Sequence, residues 1–259
     1  MPNKEQEMRT FWSERARLYG SDPRANTNDI WLRELEIAYI QRVLKSFPAD
    51  RILDFGCANG FSTQRIADAS SRGRFIGIDI NEDMILAARA GSNEPSSASP
   101  VEFRRLDVLN DPIDERFDFI YAIRVFQNMD CLDTQKRVFE RLCELLVPGG
   151  RLACIETYAD GYAELNRDRV QLGLSPLPDH PHLTLLSDEF DEYASARLKF
   201  IDRQYVSSSY YLITRLAYSY MAKVNSEAID YNHPLHQVAA MVPQVGNYGP
   251  QRALLFVKE

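Results

Sequence analysis

Short apolar runs alternate with amphipathic segments along the first 156 residues of the chain. Each run has the length of a buried strand, and together they cover residues 51–55, 74–79, 101–107, 117–123 and 151–156. Apolar side chains at helical spacing mark residues 29–44, 61–69, 81–90 and 134–146. Strands that alternate with helices pair in parallel, so the pattern predicts an α/β fold, a doubly wound three-layer sandwich.

The composition fits one globular domain of this kind. Of the 259 residues, 45% are hydrophobic, which is enough for a substantial core. The net charge of −7 argues against the basic surface that nucleic-acid binding needs. Neither a membrane-spanning apolar run nor a secretory signal stands out. The four cysteines are unclustered, which is typical of reduced thiols, so we expect a cytoplasmic protein. From the net charge and the lack of a long apolar run, we expect neither nucleic-acid nor membrane partners.

The pattern changes after residue 157, where prolines crowd one segment and two helical stretches follow, at about 210–223 and 235–241. We therefore predict a single domain over 1–259 with four segments: an N-terminal lid and helix (1–50), a core (51–156), a cap of insertions (157–251) and a last strand (252–259). Loops over the carboxyl edge of a sheet commonly build substrate pockets. The cap is thus the expected site of acceptor binding.

Glycine and acidic residues stand where the first three runs end. Asp54, Gly56 and Gly60 belong to DFGCANG, whose glycines let a ligand approach a helix N-terminus. Ala58 and Phe61 break the dinucleotide-binding glycine spacing, so the turn suits a ligand without a pyrophosphate.

Asp79 and Asp107 end the second and third runs. An acid at the position of Asp79 can accept hydrogen bonds from both hydroxyls of a ribose. Asp107, with Val108 beside it, can accept a hydrogen bond from the amine of adenine. The alternative is that each acid only caps the turn after it. Three acids at three successive strand ends favour one adenosine pocket.

The motif series resembles that of class I S-adenosylmethionine-dependent methyltransferases over about 51–156, through DFGCANG, GIDINEDMI, RRLDV, FDFIYAIRVF and LLVPGGRLACIE. The resemblance implies a Rossmann-like fold, with a mostly parallel seven-stranded sheet, an antiparallel last strand and helical cap insertions. It implies S-adenosylmethionine as cofactor and S-adenosylhomocysteine as product. The cofactor-binding positions implied are Tyr19, Asp54, Gly56, Cys57, Ala58, Gly60, Asp79, Ile80, Asp107, Val108, Ile123 and Arg124.

One residue departs from this resemblance, and one further motif extends it. Ala58 stands where the family commonly has a third glycine, and we expect a tighter turn there that keeps the site. The segment FWSERARLYG resembles a lid that closes over the methionine end of the cofactor, with Arg15 and Tyr19 as contacts. Packing in the core is the simpler explanation for its aromatic residues.

The segment IRVFQNM, with GNYGPQ near the end of the chain, is similar to a subgroup of glycan and other small-molecule methyltransferases. If the first segment is helical, Arg124 and Asn128 project from one face toward the acceptor, and we predict both as catalytic. The alternative is that Arg124 pairs with a helix carboxylate and that Asn128 caps a turn.

A hydroxyl acceptor benefits from a general base. We take His182 and Glu156 as the catalytic candidates, with His180, His233 and His236 as further histidines of the cap. A surface or capping role is the alternative for each histidine. The tyrosines of the cap form either a stacking surface for the acceptor or helical core. No acidic triad suggests a metal site.

The sequence thus predicts a methyltransferase that acts on a small molecule, with O-methylation of a sugar, nucleotide sugar or glycan favoured. A lipid-like or natural-product acceptor, or a non-catalytic cofactor-binding partner protein, are the alternatives. An apolar cleft under the cap would favour the lipid-like acceptor, and a cleft lined by Arg and Asn would favour the polar one. The sequence leaves open whether the chain forms a homodimer.

Overall fold

The computed structural model describes residues 4–92, 99–179 and 183–259. Seven strands form one sheet in the order β3-β2-β1-β4-β5-β7-β6. The strands are β1 (Arg51–Phe55), β2 (Arg74–Asp79), β3 (Val101–Arg105), β4 (Phe117–Ile123), β5 (Leu146–Thr157), β6 (Lys199–Gln204) and β7 (Gln251–Val257). Strands β1 to β5 pair in parallel, and β7 runs antiparallel to both of its neighbours. The predicted fold class is confirmed.

Ten α-helices surround this sheet in the described part of the chain. They are α1 (Lys4–Tyr19), α2 (Ile30–Ser46), α3 (Phe61–Asp68), α4 (Glu82–Gly91), α5 (Leu132–Leu145), α6 (Ala159–Gln171), α7 (Asp188–Ser195), α8 (Ser208–Tyr211), α9 (Ser219–Val224) and α10 (Pro234–Met241). A π-helix, Leu212–Tyr218, joins α8 to α9 without a break. None of the helices in the described residues has the length and apolarity needed to cross a membrane.

Most core elements begin and end close to the predicted positions because local signals define them, but β5 begins at Leu146, well before its predicted start at 151. Asp29 caps α2, since its carboxylate accepts a hydrogen bond from Leu32 N at 3.2 Å. Asn81 caps α4 in the same way through Met84 N, at 3.0 Å. Strand β3 is shorter than predicted, because the chain turns after Arg105.

Helices α1, α6 and α7 and strand β6 were not predicted from the sequence. Strand β6 is the edge strand of the sheet, and most of its side chains are exposed, so it lacks the apolar run by which buried strands are recognised. Helix α1 carries little apolar character and packs against α4 through a few residues. The predicted division into lid, core and cap remains a prediction, and we keep these names for residues 1–50, 51–156 and 157–251.

Two apolar layers cover the faces of the sheet. On one face, Phe126, Phe139 and Phe190 stack with ring centroids 5.2–6.3 Å apart, joining the turn after β4 to α5 and α7. On the other face, α2 and α3 bury Ile40 and Ile66 against β1 and β4. The rigid sheet between these layers fixes the carboxyl ends of its strands, where the cavity lies.

Candidate active site

A cavity of about 720 Å³ lies at the carboxyl edge of the sheet. The turns after β1, β2, β3 and β4 form its floor and walls, as is usual for ligand sites in open α/β sheets. Of the predicted site residues, those that line it are Asp54, Gly56, Cys57, Ala58, Asp79, Ile80, Asp107, Val108, Ile123, Arg124 and Asn128. Tyr19, Gly60 and Glu156 are absent from the lining in the described part of the chain.

The glycine turn after β1 requires residues without a side chain. Gly56 has φ of 73°, and a Cβ on it would lie 2.5 Å from Cγ2 of Val125. Gly60 has φ of 74° and precedes α3, and a Cβ on it would lie 2.5 Å from the ring of Phe103. Gly60 therefore shapes the turn behind the cavity wall, while Gly56 is part of the wall.

Ala58 keeps this turn closed although it replaces a glycine of the family pattern. Its φ is 48°, in the left-handed region that side chains rarely adopt. Its backbone N–H donates to Oδ2 of Asp79 at 2.9 Å, which fixes the turn against the end of β2.

Asp79 and Asp107 cap turns and also line the cavity. Oδ1 of Asp79 accepts from Asn81 N at 2.9 Å, and burial raises the pKa of this carboxyl. Asp107 accepts from Leu109 N at 3.0 Å and from Asn110 Nδ2 at 2.8 Å. The capping alternative thus describes real contacts, yet a carboxylate oxygen has two lone pairs, so each acid can still accept a ligand hydrogen bond.

Asp54 is a buried acid at the end of β1. Its Oδ2 accepts from the Thr63 hydroxyl at 2.6 Å. Burial raises the pKa of Asp54 to about 6, and the Thr63 hydrogen bond lowers it in part. Cys57 is also buried, and its thiol pKa is raised well above the ordinary value by desolvation, so it behaves as an apolar wall of the cavity.

The turn after β4 differs from the predicted helix. Arg124 has φ of 58°, its N donates to Ile155 O at 2.7 Å, and a 3-10 helix follows at Phe126–Asn128. Nε of Arg124 lies 3.0 Å from Oε1 of Glu36 on α2, and Nδ2 of Asn128 donates to the carbonyl of Arg124 at 2.7 Å. The pairing and capping alternative therefore describes these contacts, while both side chains still line the cavity.

Glu156 lies beneath this turn and does not reach the cavity lining. Its Oε1 accepts from Val125 N at 2.8 Å and Phe126 N at 3.0 Å, and its Oε2 accepts from Gln127 N at 3.2 Å. Burial raises the pKa of Glu156 to about 8, against the lowering effect of these three hydrogen bonds. In the structure, Glu156 positions the turn, and a role as general base is not supported.

The lid contacts predicted for Arg15 and Tyr19 lie elsewhere. Nε of Arg15 donates to Ala25 O at 2.9 Å, and its guanidinium stacks 5.0 Å from the ring of Tyr19. Arg24 stacks on the same ring, 5.6 Å from its centroid. Tyr19 therefore holds the segment after α1 in place, beside the cavity wall.

The roof of the cavity comes from α1, part of which was interpreted from the sequence as a lid without a predicted helix. Met8, Phe11 and Trp12 line the cavity from this helix. Asn81 Nδ2 donates to Ser13 Oγ at 3.0 Å, and Lys4 Nζ donates to Thr184 Oγ1 at 2.7 Å. These hydrogen bonds hold α1 across the opening, from α4 to the cap.

The histidines predicted as base candidates divide into two groups. His180 and His182 lie outside the described residues. His236 is buried, with Nδ1 2.7 Å from the Tyr210 hydroxyl, and His233 caps α10 and stacks 4.6 Å from the ring of Tyr218. Neither His233 nor His236 lines the cavity, so both support the cap.

Three tyrosines of the cap, Tyr210, Tyr211 and Tyr218, are buried, and the first two pack in one cluster with Leu32 of α2. Tyr220 of the cap is exposed. No group of three or more potential metal ligands occurs in the residues that the structure describes.

Arg33 and Gln127 are cavity residues that the sequence analysis missed. Arg33 is buried on α2 between Leu32 and Ile37, and forms an i,i+3 pair with Glu36. A charged pair on the apolar stripe of an amphipathic helix was the signal that could have identified it.

Comparisons with known proteins agree with this geometry. Residues 53–152 match the family described as "Methyltransferase domain". "Probable methyltransferase ltbC" from Aspergillus luteorubrus is 30% identical over 149 residues, which cover 54% of this chain and 51% of that protein. "Trans-aconitate 2-methyltransferase" from Sinorhizobium fredii is 28% identical over 205 residues, which cover 78% and 69%. The match thus spans about half the length of the fungal relative.

A solved structure extends the likeness to the whole chain at the level of the fold. The N-methyltransferase NodS from Bradyrhizobium japonicum, in complex with S-adenosyl-L-homocysteine, superposes with a TM-score of 0.61 at 15% identity. The superposition covers 99% of each chain. At this identity the likeness concerns the fold alone.

Proposed function

We propose that this chain, whose residues 53–152 match the methyltransferase domain family, transfers the methyl group of S-adenosylmethionine to a small-molecule acceptor. The observation that carries the proposal is the order of cavity residues along one sheet edge. The glycine turn follows β1, Asp79 ends β2 and Asp107 follows β3, and all three contribute to the lining of a single cavity. Ligands of open α/β sheets bind at this edge.

The lining residues suit the three parts of this cofactor. Asp107 and Val108 would hold the adenine, and Asp79 with Ile80 would hold the ribose hydroxyls. The turn at Gly56, with Cys57 and Ala58, would pass the methionine half closely, because a Cβ at Gly56 would fill the space next to Val125. A carboxylate at position 79 does not accommodate a ribose with a 2′-phosphate, which agrees with a cofactor that lacks this phosphate.

Methyl transfer needs alignment and exclusion of water more than acid or base chemistry. The bound cofactor would supply a methyl group already activated by its sulfonium. Helix α1 would shield the cavity, since Met8 and Trp12 roof it and Lys4 bonds to Thr184. Glu156 would contribute indirectly, because its three hydrogen bonds from backbone N–H groups fix the turn that carries Arg124 and Asn128.

A polar acceptor is favoured over a lipid-like one. Arg33, Arg124, Gln127 and Asn128 line the part of the cavity nearest β4 and α2. This is the Arg- and Asn-lined surface that favours a sugar, nucleotide sugar or other polar molecule. The relative named for trans-aconitate acts, by its name, on a small polar molecule. We therefore propose O-methylation of a polar small molecule, with the sugar class among those to test.

His182 remains the proposed general base for a hydroxyl acceptor. It directly precedes Leu183, which lines the cavity. Its replacement by Gln should lower turnover about 10²–10⁴-fold for a hydroxyl acceptor and leave cofactor affinity unchanged.

The test uses the purified chain with S-adenosylmethionine labelled in its methyl group. Sugars, nucleotide sugars, small carboxylic acids, phenols and amines serve as the acceptor panel, and labelled product is measured by mass spectrometry. Cofactor binding is measured separately by calorimetry with S-adenosylhomocysteine. Binding with transfer to one class supports the proposal; absence of binding contradicts it; binding without transfer to any class favours the non-catalytic partner role.

A further inference from the structure

A buried arginine, Arg33, and a partly exposed one, Arg124, share one carboxylate at the cap side of the cavity. Nε of Arg33 lies 3.2 Å from Oε2 of Glu36, and Nε of Arg124 lies 3.0 Å from Oε1 of the same residue. Gln251, at the start of β7, donates its Nε2 to Glu36 as well. Glu36 is fully buried, and the side chains of Arg33 and Arg124 are 8% and 17% exposed.

These contacts leave the guanidinium groups short of hydrogen-bond acceptors. Among the described residues, Nη2 of Arg124 is buried and has no hydrogen-bond partner, and Nε of each arginine contacts an acceptor only through its ion pair with Glu36. Both arginines line the cavity. Buried donors without partners are rare in folded proteins, so a ligand that brings acceptors would be bound strongly here.

The charges in direct contact are also unequal. Arg33 and Arg124 bring two positive charges to the one carboxylate of Glu36. Asp54 and Glu156 influence Arg33 without an ion pair to it among the described residues: Asp54, with a pKa of about 6, is charged at pH 7 and offsets part of the positive charge, whereas Glu156, with a pKa of about 8, is largely neutral. A ligand carboxylate would add a second acceptor in direct contact with the two guanidinium groups.

The position of the pair separates it from the residues proposed for adenosine. Arg124 follows β4, Glu36 lies on α2, and Tyr211 of the cap is close enough to both for their charges to affect its pKa. Asp79 and Asp107 follow β2 and β3, on the other side of β1 in the sheet. The arginine pair thus lies where the core meets the cap.

We infer that Arg33 and Arg124 bind a carboxylate of the acceptor, so that the substrates are small polar carboxylic acids, acidic sugars among them. The inference rests on the proposed function. Two guanidinium groups neutralise the carboxylate that they hold and so weaken it as a nucleophile. This carboxylate therefore anchors the acceptor, and the methylated atom belongs to another group of the same molecule.

The experiment measures binding to the wild-type chain saturated with S-adenosylhomocysteine. Calorimetric titrations compare glucuronate with glucose and succinate with succinamide, pairs that differ in the carboxylate. At least one of the two acids should bind, and its neutral partner should bind at least about tenfold more weakly. If neither acid binds, or if acid and neutral partner bind equally, the inference is wrong.

Variants identify the residues and the source of the anion. Arg33→Gln and Arg124→Gln should each weaken acid binding about 10- to 100-fold. Arg33→Lys should recover part of it, because lysine restores the charge without the planar fork. Arg65→Gln is the matched control, since Arg65 pairs with Glu34 at the surface. Circular dichroism shows whether each variant folds.

The affinity for S-adenosylhomocysteine shows whether the arginines bind the carboxylate of the acceptor or that of the cofactor's methionine part. If they bind the acceptor, this affinity should change less than about twofold in Arg33→Gln. If it falls as much as acid binding does, the arginines hold the methionine carboxylate of the cofactor, which overturns the inference and leaves the proposed function intact. A wild-type chain that binds no S-adenosylhomocysteine would instead contradict the proposed function.

Discussion

Acidic residues of the core and of the α2–cap junction have different partners. Asp79 and Asp107 accept hydrogen bonds from backbone and amide N–H groups and line a cavity. Asp29, at the start of α2, accepts from the Tyr210 hydroxyl and forms an ion pair with Arg215, both in the cap. An acid whose charge is compensated inside the protein supports the fold, whereas an acid held only by N–H dipoles beside a cavity remains able to bind a ligand.

The largest effect is expected from Asp29→Ala. This change leaves Arg215 as a buried charge without its partner and removes the cap of α2, so the free energy of unfolding should fall by about 3–5 kcal/mol. Urea denaturation followed by circular dichroism measures it. Glu34→Ala, a change within α2, removes the exposed ion pair with Arg65 of α3. It should lower the free energy of unfolding by less than about 1 kcal/mol. Equal losses in the two variants would contradict the distinction.

Asp79→Ala should affect binding more than folding. The affinity for S-adenosylhomocysteine should fall about 100-fold, because the ribose hydroxyls lose a charged acceptor. The free energy of unfolding should fall by about 1–3 kcal/mol, since Ala58 N and Asn81 N lose their partner. Calorimetry and urea denaturation measure the two quantities, and Asp83→Ala, in the exposed pair with Arg17, is the control. Unchanged affinity would remove Asp79 from the cofactor site.

Glu156→Gln tests a core acid that faces no ligand. The folded state raises the pKa of Glu156 from 4.5 to about 8, so its stabilising contribution is complete below pH 4.5 and is lost as the pH rises through 8. The wild type should therefore lose up to about 4 kcal/mol more than the Gln variant between pH 5 and pH 9. Urea denaturation at each pH gives the difference. Parallel pH profiles would show that Glu156 does not titrate in this range.

The smallest effect is expected from Ala58→Gly. Relief of the left-handed conformation gains about 1 kcal/mol, and the greater freedom of glycine in the unfolded chain offsets part of it, so Tm should rise slightly. Ala87→Gly, inside α4, should lower the stability by about 0.5–1 kcal/mol. If Ala58→Gly also lowers the stability, the turn is not strained at this position.

The same contrast explains what could be predicted from the sequence. The core strands are continuous apolar runs, and their ends carry glycine and acidic residues in a fixed order, so fold and cavity floor follow from local patterns. The roles of Arg124 and Glu156 depend on a turn whose shape is set by β5 and α2, which no local pattern encodes. Arg33 and α1 were missed because they reach the cavity only through tertiary packing.

The π-helix Leu212–Tyr218 makes the cap sensitive to insertions and deletions. Successive residues of an α-helix are rotated by about 100° around the helix axis. Loss of one residue here would therefore rotate the helical residues before the deletion relative to those after it. Arg215 and Tyr218 face two different partners across this segment, Asp29 on α2 and the chain near Asp230. Only one of the two contacts could survive such a change. The length of this segment is therefore fixed by geometry, even where its side chains could be exchanged.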